Sequence, residues 1–336
     1  MLRAVRLVFS IVVVFGLVFA GTAFAQPATL KAYRYGNTYY VAISDVANYY
    51  GLGTDARDAV NRAEYKSNLG QLELEADRRD VFINGLTHWL SAPILATRGK
   101  LWIAELDVLK TLDPVLRPER LRKAGAVVRT VVIDPGHGGE DRGTRGRSSL
   151  EKVMTLDVAR RVERDLAGSG LRVMLTRTSD KTVALEDRVE FARENAANLY
   201  VSIHFNSGGT AEGIETYCTP PAGASSTAVP HWGAEDRDIG SERDAVTNNR
   251  FDSQNVWLAH CVEKSLLRAT NATDRGVRRA RFYVLRYASC PAILTEAGFL
   301  SSPSEEQRIL RSDYREMLAK AIADGILAYK KTLEAP

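Results

Sequence analysis

Four ionisable residues stand out by the company they keep. His137 lies between glycines in Asp134-Pro135-Gly136-His137-Gly138-Gly139, and His204 closes an apolar run in Ser202-Ile203-His204-Phe205-Asn206. Glu151 stands at the head of a helical pattern, and Glu296 follows an apolar run in Leu294-Thr295-Glu296-Ala297-Gly298-Phe299. Neutral imidazole and carboxylate are ordinary zinc ligands, and a catalytic zinc takes three protein ligands while keeping a position for water. His137, Glu151 and His204 are candidates for such a set. Glu296 is a candidate for acid–base work. Taken singly, each has an ordinary structural explanation. Gly-His-Gly turns occur in many loops, and an acidic residue in the first turn of a helix complements the helix dipole.

The segments around these residues place all four at one edge of a sheet. Val131-Val132-Ile133 runs into a Pro-Gly turn, which reads as a buried strand with a ligand-bearing loop at its carboxyl end. Ser149 reads as the cap of a helix starting near Leu150, with Val153, Leu156, Val158, Ala159, Val162 and Leu166 on its buried face. Strands are expected at 171–176, 199–203, 213–218, 282–286 and 291–295, and helices at 184–196, 254–270 and 314–333. Alternating strands and helices predict a three-layer α/β/α domain with a mainly parallel sheet over 130–336. Residues 220–249 read as a long loop, poor in aliphatic side chains, beside the site.

Residues 26–111 read as a separate small α+β unit. Strand 37–43 leads into a helix with Ser44 as N-cap and Gly51 as stop, and strand 99–104 leads into a second, shorter helix. Between them, 70–76 and 81–85 read as strands joined by a charged turn. This repeated strand–helix pattern around a meander resembles the N-terminal domain of copper amine oxidases. It carries no ligand cluster that implies copper. His88, beside Trp89, reads as a partly buried packing residue, and His260 reads the same way inside its helix. Residues 112–129, polar and arginine-rich with prolines at 114 and 118, read as a linker.

Composition bounds the function. The 336 residues are 45% hydrophobic and 26% charged with a formal charge of +4, and basic and acidic residues alternate along the chain. That excludes a nucleic-acid protein and fits a globular one. Residues 1–25 read as a signal peptide: two arginines, an apolar run from Leu7 to about Ala20, and Ala23-Phe24-Ala25 at the cleavage position. The run is too short for a comfortable span, so export to the periplasm or cell envelope is expected, with no stable membrane span after cleavage. Three cysteines, Cys218, Cys261 and Cys290, allow at most one disulfide and supply no metal-binding pair.

The order of motifs from residue 131 onward carries a second and more specific resemblance. Asp134-Pro135-Gly136-His137-Gly138-Gly139 is followed by Glu151-Lys152, then Leu175-Thr176-Arg177 with Asp180, Leu185 and Arg188. Ser202-Ile203-His204-Phe205-Asn206, Arg275-Gly276-Val277, Tyr283-Val284-Leu285-Arg286 and Glu296-Ala297-Gly298-Phe299-Leu300-Ser301 complete the series. It resembles the zinc-dependent N-acetylmuramoyl-L-alanine amidases of the cell-separation type. The resemblance implies Zn2+ held by His137, Glu151 and His204, with Glu296 as the catalytic carboxylate. It implies peptidoglycan as substrate and leaves room for an activator protein. Asn206, Arg286 and His231 are the candidate substrate contacts. Val153-Met154-Thr155 and Phe205 depart from the family's usual residues. Two other readings stay open: a non-catalytic peptidoglycan-binding or amidase-regulating protein, and a zinc hydrolase of another amide.

Overall fold

The computed structural model describes residues 4–6, 30–53, 61–68, 70–122, 127–228 and 243–335. The expected signal peptide falls almost wholly outside the described residues. Ala4–Arg6 (β1) forms an edge strand on β2 (Lys31–Tyr35), which pairs antiparallel with β3 (Thr38–Ala42). Helix α1 (Ile43–Tyr50) follows and stops at Gly51, whose φ of 65° is the left-handed conformation that glycine adopts freely. Its first turn begins one residue before Ser44, on extended Ala42, so Ser44 is not the cap.

A meander of β4 (Arg62–Ser67), β5 (Gly70–Glu75), β6 (Asp80–Ile83) and β7 (Leu86–Trp89) comes next. The chain then returns through β8 (Leu95–Thr97) and β9 (Lys100–Ala104) to complete a five-stranded sheet in the order β1-β2-β3-β9-β8. The stretch that follows is helical further than expected. Helix α2 (Glu105–Asp107) runs into a π-helical turn over Val108–Leu112, helix α3 (Asp113–Leu116) and a 3-10 turn over Pro118–Leu121. Proline sits early in each of the last two pieces, where its missing N–H costs nothing.

From β10 (Thr130–Pro135) onward the expected alternation holds. Helix α4 (Glu151–Asp165), β11 (Arg172–Leu175), α5 (Leu185–Glu194), β12 (Leu199–Asn206) and β13 (Ile214–Cys218) follow in order. After them come α6 (Asp252–Thr270), β14 (Asp274–Arg279), α7 (Tyr283–Tyr287), β15 (Ala292–Phe299), α8 (Pro303–Leu310) and α9 (Ser312–Glu334). Strands β11, β10, β12 and β15 are parallel neighbours, and β10, β12 and β15 are buried along their whole length. Burial on both faces explains their near-continuous apolar sequences. Val158, Val162, Leu258, Val262, Leu318 and Ile322 of α4, α6 and α9 cover one face. Ala192 of α5 and Val284 and Leu285 of α7 cover the other, against Tyr200, Tyr217 and Leu294.

Two expectations need correction here. Where a strand is expected over 282–286, Tyr283–Tyr287 form helix α7. A run of four apolar and aromatic residues before Arg286 suits either form, and a helix lets Tyr283 and Tyr287 meet ring to ring at 4.5 Å while Val284 and Leu285 point into the core. Ser149 does not cap α4; its hydroxyl donates to Glu306 Oε1 at 2.7 Å, and Leu150 precedes the first turn.

The expected boundary between units is crossed by the main sheet itself. The ten-stranded order is β11-β10-β12-β15-β13-β14-β7-β6-β5-β4, so the N-terminal meander continues the C-terminal sheet through β7 and β14. Thr87 N donates to Asp274 Oδ2 at 2.8 Å, Trp89 Nε1 donates to Arg275 O at 3.0 Å, and the Arg278 guanidinium lies 4.1 Å from the Trp89 ring centre. Gly276 permits this approach: a Cβ there would stand 2.7 Å from Thr87 O, and its φ of 86° suits glycine. The three cysteines are free and buried. Among the described residues no helix is long and apolar enough to cross a membrane.

Candidate metal centre and active site

Strand β10 delivers the chain to a loop whose geometry is set from below. Asp134, its penultimate residue, is buried and accepts from Arg188 Nη1 at 2.6 Å, Thr176 Oγ1 at 2.5 Å, Tyr200 OH at 2.6 Å and Ser202 Oγ at 2.8 Å. Burial alone would raise the carboxyl, but Arg188 and the hydroxyl donors hold it down at about 2. Arg188 also donates to Pro135 O and His137 O, and Arg177 donates to Pro135 O and Gly136 O. Two buried guanidiniums thus satisfy the carbonyls of Pro135, Gly136 and His137 as the chain leaves the strand. His137 itself sits at φ 60°, a conformation uncommon outside glycine and one these bonds hold in place.

The turn aims His137 at Glu151 and His204. His137 Nε2 lies 3.1 Å from Glu151 Oε1, and His204 Nδ1 lies 3.0 Å from the same oxygen. One ligand atom from each residue falls within a sphere where all lie within 4.8 Å of one another. Phe205 N and Thr144 N donate to the two oxygens of Glu151 at 3.0 and 2.7 Å, which orients the carboxylate. Gly136 makes room for the cluster, because a Cβ there would stand 2.2 Å from His204 Cε1. His137 Nδ1 donates to Asp141 Oδ2 at 2.6 Å, the outer partner that fixes which ring nitrogen faces inward.

Two imidazoles and a carboxylate, with an outer carboxylate on one ring, are a donor set that fits zinc. The electrostatics fit a cation as well. Burial alone would lower the His137 imidazole, yet Glu151 and Asp141 raise it to about 11. Burial alone would raise Glu151, yet the two histidines hold it well below the usual carboxylate range. The cluster therefore asks for positive charge beside Glu151, supplied by a proton in the protein alone.

Glu296 occupies β15 directly opposite His204 of β12 and is itself opposite Glu215 of antiparallel β13. It is fully buried, and its oxygens are not among the converging ligand atoms. Adjacent strands lie about 4.8 Å apart, so Glu296 stands one strand from the cluster on the same face as His204.

The substrate candidates fare differently. Asn206 is buried and donates to Glu215 Oε1 at 2.6 Å, so it braces Glu215 and does not face open space. Arg286 donates to Tyr287 OH on the outside of α7 and does not line the cleft beside the cluster. His231 lies outside the described residues. That cleft, about 440 Å³, opens between Gly136, His137, Thr182, Leu185, Glu186 and Tyr283. Asp141, Asp134, Arg177 and Arg188 emerge as supporting residues that spacing alone did not assign. Thr176-Arg177 and Arg188 were visible only as parts of the motif series.

Three residues that could hold a metal ion thus meet at the carboxyl edge of a buried, mainly parallel sheet. A family model for N-acetylmuramoyl-L-alanine amidases (Amidase_3) matches residues 131–328, and the chain belongs to that family. It is 31% identical to N-acetylmuramoyl-L-alanine amidase AmiA of Escherichia coli over 246 residues, 68% of this chain and 84% of AmiA. It is 32% identical to N-acetylmuramoyl-L-alanine amidase LytC of Bacillus subtilis over 209 residues, 62% of this chain but only 36% of LytC. The catalytic domain of CwlV, an amidase from Bacillus (Paenibacillus) polymyxa var. colistinus, superposes with a TM-score of 0.49 and 34% identity, over 60% of this chain and 97% of that one. The family's members are hydrolases that act on the cell wall.

Proposed function

We propose that the chain hydrolyses the amide joining the lactyl group of N-acetylmuramic acid to L-alanine in peptidoglycan, with zinc held by His137, Glu151 and His204. The convergence of those three ligand atoms beside an open cleft is the observation that carries the reading. Zinc, when bound, polarises a carbonyl and lowers the pKa of water to about 7. The chain's own residues supply the rest. His137 is held by Asp141 through Nδ1, leaving Nε2 for the metal. Glu151 is held by two backbone N–H groups, so its carboxylate needs no reorganisation. Glu296 takes the proton of the attacking water at its carboxylate and returns it to the departing amine of L-alanine. The turn carbonyls stay locked by Arg177 and Arg188, so the ligand geometry does not relax.

Residues 1–25 act as a signal peptide in this reading, and the enzyme works in the cell envelope, where peptidoglycan is. Residues 26–111 serve to bind or position the polymer, because they bring no clustered catalytic groups of their own. Purified sacculi test the assignment. Release of L-alanine-terminated peptide together with free muramic-lactyl carboxylate is the expected product pair. Sacculi bound but uncut by zinc-loaded protein would make the chain a binding protein, and cleavage of another amide would change the substrate.

A further inference from the structure

A second cleft, remote from the metal residues, lies where the N-terminal unit meets the C-terminal one. It has a volume of about 550 Å³ and is walled on one side by Asn37, Thr38, Tyr39 and Tyr40. Ser225 and Arg243 of the long loop region form part of the opposite wall. The small sheet turns one face inward: α1 covers it with Val46 and Ala47 against Val41 and Ile103. Tyr40 and Trp102 lie on the other face, with Tyr33 packed edge-on against Trp102 at 5.3 Å. Tyr35 continues that aromatic surface, its ring 6.4 Å from Tyr40 and 56% exposed. Tyr39, on the cleft rim, is 37% exposed.

The charge inventory narrows what this cleft can take. Arg79 donates to Leu90 O, Ser91 O, Ser225 O and Ser226 O, which ties the two units together and leaves its positive charge on the lining. Arg243 adds a second positive charge and Glu105 a single negative one. The cleft therefore carries both signs of charge, one more positive than negative. Its hydroxyl and amide groups on Asn37, Thr38, Ser91 and Ser225 offer donors and acceptors together, and exposed tyrosine rings offer flat apolar faces. Hexose rings present that combination, hydroxyls at the rim and C–H bonds on the face.

We propose that this cleft binds the glycan strand of peptidoglycan, as a site separate from the one that cuts the stem peptide. The inference rests on the amidase reading for its polymer and names the part of that polymer held by the N-terminal unit. Because the walls come from both units, a strand seated there is in fixed relation to the metal centre.

The test is equilibrium binding of the full chain to N-acetylglucosamine hexamer and to peptide-stripped glycan strands, with free stem peptide as the contrasting probe. Saturable binding of both glycans, and none of the peptide, is expected. Tyr39→Ala and Tyr35→Ala should each weaken glycan binding, together by roughly tenfold or more. Ser225→Trp fills the cleft from the opposite wall and should do the same without touching the aromatic face. Unchanged melting temperatures would show that the variants fold. Glycan binding absent from the wild type, or equal in all three variants, overturns the proposal. Preference for the peptide overturns it too. Binding needs no turnover, so this outcome and the sacculus-cleavage outcome fail independently.

Discussion

Among the described residues two pairs of histidines touch, and they hold charge in opposite ways. His137 and His204 meet edge to face with ring centres 4.9 Å apart, and His88 and His260 stack at 5.2 Å with Nε2 of one 3.0 Å from Nδ1 of the other. The first pair is bracketed by Glu151 and Asp141. The second is sealed between β7 and α6, with Trp257 stacked on His260 and no carboxylate bonded to either ring. Burial works against charge in both places. Only the carboxylates reverse it, raising His137 to about 11. Burial, aided by Lys264, takes His260 down to about 3, and burial with its neighbours takes His88 well below its usual value. The lesson is that two nearby imidazoles do not make a metal site. A charged oxygen between them does.

The comparison breaks most sharply on deletion of a ring. His137→Ala removes one of three protein ligands, so metal affinity should fall by more than the roughly 10–100-fold typical of losing an outer partner. Turnover should fall to background. His260→Gln should keep about one zinc per chain and near-normal turnover, by metal analysis and a muropeptide assay on the same preparations. If both variants lost metal equally, the two pairs would not be distinct.

Next in size is the proton carrier. Glu296→Gln keeps the shape of a buried side chain that supplies no ligand atom to the cluster. It should retain its zinc while turnover drops roughly 10² to 10⁴-fold. An emptied metal site would instead make Glu296 a ligand.

A smaller effect is expected at the outer carboxylate. Asp141→Asn leaves His137 Nδ1 a neutral acceptor in place of a charged one. Zinc affinity should fall about 10–100-fold, and turnover should recover as free zinc is raised. Turnover that stays low at saturating zinc would give Asp141 a role beyond orienting the ring.

These expectations draw unequally on the sequence. Val131-Val132-Ile133 and Leu199 to Ile203 could be read as buried strands because both faces are covered, and His137, Glu151 and His204 stood out by position in a motif order. What escaped notice depends on contacts far apart in sequence. Asn206 reads as a substrate contact beside a ligand, yet Glu215 on β13, two strands away in the sheet, claims its amide. Residues 282–286 carry strand-like residues, and only their packing against α5 and β15 makes them helical. His88 and His260 both read as packing residues, but 172 positions separate them and nothing local shows that they meet. The β7–β14 pairing was equally hidden, because Asp274–Arg279 lacks a strand's apolar pattern: Arg278 and Arg279 are nonetheless buried.

That seam supplies the last prediction, which should leave zinc chemistry alone and show only in stability. His88 and His260 are neutral in the folded protein, and the groups around them are Trp257 and Lys264 on α6 and Arg279 on β14. Their pKa values are lower folded than unfolded, where about 6.5 is usual. Between pH 6.5 and about 3 the unfolded chain therefore binds protons that the native one refuses. Linkage makes stability fall as pH falls through that window. At pH 5 the His260 imidazole would account for about 2 kcal/mol of the loss, and His88 adds to it in the same direction. Replacing both, as His88→Phe with His260→Phe, preserves a stack on Trp257 and removes both protons. The double variant should lose less stability than the wild type between pH 7 and pH 5, measured by urea unfolding. The carboxylates elsewhere titrate in both proteins, so the difference between the two slopes isolates the pair. Parallel slopes would mean that these rings are already accessible to protons in the native state, and that the seam between the two units is open.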